Sequence, residues 1–123
     1  LDPRVKALAV LTAAREACGH YVWTVNQPAA KSAGLSDEVI AVIREYRAPA
    51  GLEAQDASIV QFVLELLRQH RVSDATFEGV RALLGDAGVV DMLVVTGYYH
   101  TLAHCLQALE VDLPEGTTTA LTY

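Results

Sequence analysis

Cysteine is scarce in this chain: Cys18 and Cys105 are the only two, and they stand near opposite ends. They match no zinc-ligand or disulfide-framework spacing, and such usage fits a reducing compartment. Positive charge is also thin, with nine Lys and Arg against fifteen Asp and Glu, a net charge of −6. The cations are dispersed, so no basic stripe offers a footprint for nucleic acid. Long apolar runs are missing too. The richest stretch, "VVDMLVVTGYYHTLAHCL", is broken by Asp91, His100 and His104. It lacks the uninterrupted run of about 20 apolar residues that spanning a membrane requires. No basic segment followed by an apolar core marks a secretory signal, and the expected location is cytoplasmic. Strand-like alternation and internal repeats are absent as well.

What is present is helical and apolar. The 123 residues are 52% hydrophobic and suit one domain, residues 1–123. That richness exceeds what a small soluble monomer needs, and the last helical segment is apolar nearly all round. Such a helix must be buried somewhere, so the chain is expected to pair with copies of itself. It opens at Leu1 rather than methionine, which leads us to expect a segment upstream.

Local chemistry sets the helix limits. Asp2-Pro3 reads as a cap and a first-turn proline, with Val5, Leu8, Leu11 and Ala14 recurring at helical spacing. Gly19 marks a break or tight junction. A second helix is expected from Tyr21 to Ala33, stopped by Gly34 at C′, with Pro28 kinking it or opening a separate piece. Ser36 caps a short helix with Asp37 and Glu38 in its first turn. After the loop-like "YRAPAGLEAQ", Ile59, Phe62, Val63, Leu66 and Leu67 form a stripe ending near His70-Arg71. Ser73 caps a helix with Phe77, Val80 and Leu84 inward and Gly85 at its end; the last helix runs from about Ala87 to Leu109. The acidic residues read as solvent-facing, with no acid/base pair among them. The fold class is an all-α bundle.

Few residues offer chemistry. Cys18 and His20 would point apart on a helix, but could converge in a loop or first turn, where a helix N-terminus would also lower the thiol pKa. The alternative is a small buried cysteine beside a helix-end histidine. His100 and His104 share one helix face at the spacing of two metal ligands. A third ligand is not supplied locally, because Cys105 is rotated by about 100° from His104. A hydrogen-bonded polar seam is the other reading, and no metal is assigned. Tyr21, Trp23, Tyr98 and Tyr99 suit a core or the wall of a ligand pocket.

The segments "YVWTVNQPAAKSAGLSDEVI", "RVSDATFEGVRALLG", "VVDMLVVTGYYHTLAHCLQALEV" and "LPEG" resemble the carboxymuconolactone decarboxylase family, which includes the alkylhydroperoxidase D-like proteins. The resemblance runs from Pro3-Arg4 to Gly116. It implies a helical bundle that assembles as a trimer or hexamer, with further helical sequence upstream. The family's peroxidase branch uses Cys-x-x-Cys followed four residues later by histidine; aligned on Pro28 and Ala33-Gly34-Leu35-Ser36, those positions hold Gly19, Val22 and Asn26. The decarboxylase-like branch places glutamate at Val22, histidine at Asn26 and an upstream acid near Ala7.

Thiol peroxidase chemistry is therefore not expected, since it needs a second thiol to resolve the first. The resemblance instead implies a re-specialised, cofactor-independent enzyme acting on a small lactone, enol or aromatic carboxylate by decarboxylation or proton transfer. The site residues expected for it are His20, Tyr21, Asn26 and Cys18 for chemistry, with Trp23, Tyr99, His100 and His104 around the substrate. The alternative is a non-catalytic oligomeric member that binds a ligand or partner.

Overall fold

A computed structural model describes residues 1–118 and 121–122. Five helices follow in order: α1 (Pro3–Glu16), α2 (His20–Ser32), α3 (Asp37–Arg44), α4 (Ala54–Leu64) and α5 (Asp74–Ala108), with no strand among the described residues. A 3₁₀ turn at Pro49–Gly51 interrupts the loop before α4, and a π-helical turn, Glu65–Gln69, extends α4. The all-α reading holds. No described helix is long and apolar enough to cross a membrane.

The caps act where local chemistry puts them. Asp2 Oδ1 accepts from the Arg4 amide at 2.8 Å, Ser36 Oγ from Val39 at 3.2 Å, and Ser73 Oγ from Thr76 at 3.4 Å. Each satisfies an amide that the first helical turn leaves orphaned. Gly34, at φ +97°, ends α2 as the C′ residue: its amide reaches Lys31 O and that of Leu35 reaches Ala30 O, while the Leu35 side chain is buried. Pro28 opens no separate piece, since α2 continues through it. Gly85 breaks the helical path at φ 74° and ψ 173°, and helix resumes at once on its far side.

α1 is the central element. A one-sided stripe was expected, but every residue from Leu8 to Arg15 is buried, because α2, α4 and α5 all pack on it. Small residues at Ala9, Ala13 and Ala14 let those helices close in. Gly19 belongs to the same close packing: a Cβ there would meet the Ala103 Cβ of α5 at 2.8 Å. Ile59, Phe62 and Val63 of α4 fill the core as expected, whereas Phe77 lies at the rim, its ring 6.3 Å from that of Phe62.

Two acidic residues depart from the solvent-facing expectation. Asp56 is buried and holds Arg4 through two bonds, Nε–Oδ1 at 3.1 Å and Nη2–Oδ2 at 2.6 Å. Glu65 is also buried, and accepts from the Ser73 amide at 2.8 Å, the Thr76 hydroxyl at 2.5 Å and the Gln61 amide at 2.9 Å. Burial pushes the Glu65 carboxyl pKa upward, but the bonds from Thr76, Ser73 and Gln61 outweigh it and hold the group at about 2. That carboxylate ties α4 to the capped start of α5.

Candidate functional site

The first residues of α2 form one wall of a cavity of about 320 Å³, which the end of α5 and the chain after it close. His20 and Tyr21 face Leu106, Gln107, Glu110 and Leu113 across it. The α1–α2 junction fixes this wall. Gln107 Nε2 donates to Ala17 O at 2.8 Å and to Cys18 O at 2.7 Å, so α5 holds the junction directly. Cys18 takes the left-handed conformation, φ 51°, which makes the sharp turn into α2 possible without a longer loop.

The turn sends the Cys18 thiol elsewhere. Its Sγ lies 3.7 Å from the Tyr46 hydroxyl, which in turn donates to Arg15 O at 3.2 Å, and the Arg15 guanidinium stacks on the Tyr46 ring at 4.0 Å. Desolvation, helped by the Cys18 contact, raises the Tyr46 pKa against the pull of Arg15. Cys18 and His20 therefore share a backbone turn but not a cavity.

A second cavity, of about 400 Å³, opens between α1 and α2. Its walls are small and apolar, including Ala7, Val10 and Ala30, and its polar groups are Lys6, Asn26 and Tyr99. Asn26 Nδ2 donates to Val22 O at 2.8 Å, leaving its oxygen to accept from a ligand. The space follows from spacing. Asn26, Ala29, Ala30 and Ala33 recur along one face of α2, and Pro3, Lys6, Ala7 and Val10 along the facing side of α1.

The expected site residues thus divide. His20 and Tyr21 meet in the first cavity, and Asn26 and Tyr99 in the second. Trp23, expected beside a substrate, is fully buried in the core and lines neither cavity. His100 and His104 lie on α5 outside both, with ring centroids 4.4 Å apart. Among the described residues, no three of His, Cys, Asp or Glu come together as metal ligands. Sequence reasoning missed Gln107 and Glu110 in the first cavity and Lys6 in the second. The only signal for Lys6 was its place among the small residues of a helix face. Against known protein families, curated proteins and solved structures, the chain has no match.

Proposed function

We propose that this chain is an oligomeric member of the carboxymuconolactone decarboxylase family that works without a cofactor, moving a proton on a small lactone or enol. The observation that carries this reading is the shared cavity of His20 and Tyr21. Imidazole exchanges protons near neutral pH, so His20 takes a proton from the carbon beside a carbonyl and returns it at another position. The Tyr21 hydroxyl donates to the oxygen where negative charge develops. Glu110, an acidic residue, lines the same cavity. It disfavours an anionic group placed against it, so the substrate part held here is uncharged.

Family membership draws support from the second cavity. The resemblance aligns the family's upstream acid near Ala7 and its histidine with Asn26, and both positions line that one space. Neither group is present, but Lys6, Asn26 and Tyr99 suit a carboxylate on an apolar ring. This observation favours a second reading, a non-catalytic binder of aromatic or lactone carboxylates. Assembly fits either reading. The large apolar side chains Val90, Leu93, Val94 and Tyr98 are exposed along one side of α5, Val94 by 65%, and we assign that side to contact with another copy, in a trimer or hexamer.

The experiment is conversion of γ-carboxymuconolactone and related lactones by the intact protein, followed by ultraviolet absorbance and proton magnetic resonance. The first reading expects turnover that His20→Ala lowers by about 10²–10⁴-fold without changing the assembly. Binding without turnover, weakened by Lys6→Gln and not by His20→Ala, would establish the second reading instead.

A further inference from the structure

The pair His100 and His104 is absorbed by neither cavity. The two side chains lie one helical turn apart on the same side of α5, their rings meeting edge to face at 71° with centroids 4.4 Å apart. A hydrogen-bonded seam would explain two such histidines, but neither ring makes a hydrogen bond with a described residue. His100 is half-buried and His104 exposed, so one ring is backed by protein while the other faces out. Glu16 is engaged elsewhere: Arg68 Nε and Nη2 hold its two carboxylate oxygens at 2.5 and 2.8 Å.

We propose that His100 and His104 together chelate one borderline divalent transition-metal ion of the kind that prefers imidazole, such as zinc, nickel or copper. Two histidines at i and i+4 share one helix face, the spacing at which two imidazoles can ligate one ion. With no third His, Cys, Asp or Glu grouped with them among the described residues, the chain fills two coordination positions. Water fills the others. Glu16, turned into its ion pair with Arg68, adds negative charge nearby without being a ligand. Cys105 is the neighbour of His104 but lies about 100° around the helix, so the site is one of nitrogen and oxygen ligands. It is separate from the cavity of His20.

The test is titration of the untagged, metal-free protein with zinc and with nickel, by calorimetry, together with the absorption spectrum of the cobalt-loaded protein. We expect saturable binding and a cobalt spectrum free of thiolate charge-transfer bands. Loss of a direct ligand in His104→Ala should weaken binding at least as much as the roughly 10- to 100-fold that loss of an outer-sphere partner costs. His104 is exposed, so the variant should keep its helical spectrum. His70→Ala, a histidine at the end of the π-helical turn, should bind as the wild type does. Absence of saturable binding, equal binding by His104→Ala, or a thiolate band would each overturn the proposal.

Discussion

Glu65 shows how one side chain can hold two helices together. Its carboxylate is buried and accepts from groups on both sides of the α4–α5 turn. Glu65→Ala should cost about 1–3 kcal/mol, as expected when buried donors lose their acceptor, and urea unfolding of the two proteins measures the difference. The pH dependence has a definite sign. The folded pKa of about 2 lies below the ordinary 4.5, so the group's stabilisation is fully present above pH 4.5. It is lost as the pH falls from there toward 2, because the unfolded chain takes up the proton first. Wild-type unfolding followed across that interval should fall more steeply than that of Glu65→Gln. Gly19 gives a second residue-scale prediction. An added Cβ meets Ala103 Cβ at 2.8 Å, and overpacking of this kind costs about 1–3 kcal/mol; Gly19→Ala should lower the unfolding midpoint accordingly. Neither residue declares its role in the sequence. Glu65 finds its partners only because the turn brings Ser73 and Thr76 back to it, and Gly19 is tight only because α5 returns to the junction.

At the scale of the helix, much was legible. Asp2, Ser36 and Ser73 could be read as caps, and Gly34 and Gly85 as breaks, because each depends on residues within a few positions of itself. The burial of α1 was less legible. Its periodicity suggests one inward stripe, while three neighbouring helices cover it over the whole stretch from Leu8 to Arg15. α5 presents the opposite case. Its all-round apolar character predicts burial, yet Val90, Val94 and Tyr98 stay exposed in the single chain, Tyr98 by 60%. That contrast is the physical basis for assigning this side of α5 to contact between copies. Val94→Asp should therefore lower the mass found by light scattering while leaving the helical circular dichroism unchanged. An unchanged mass would remove α5 from the contact.

For the whole molecule, the decisive feature is that one helix serves two cavities. α2 carries His20 and Tyr21 into the space beside the end of α5, and Asn26 into the space against α1. Residues that stand close together in "GHYVWTVNQ" therefore do not act at one point. The sequence made them candidates because of their types; their separation follows from where α1 and α5 lie, which no local pattern encodes. Trp23, between them, faces the core, and Cys18 turns toward Tyr46. The proton transfer we propose therefore rests on the first cavity, and there on His20. The most direct measurement is deuterium incorporation from heavy water into a small lactone at the position that receives the returned proton, followed by proton magnetic resonance. The wild-type protein is expected to incorporate deuterium, at a rate that His20→Ala lowers by about 10²–10⁴-fold, the usual contribution of a positioned acid–base group. Incorporation at an equal rate in both proteins, or in neither, would contradict the proposal.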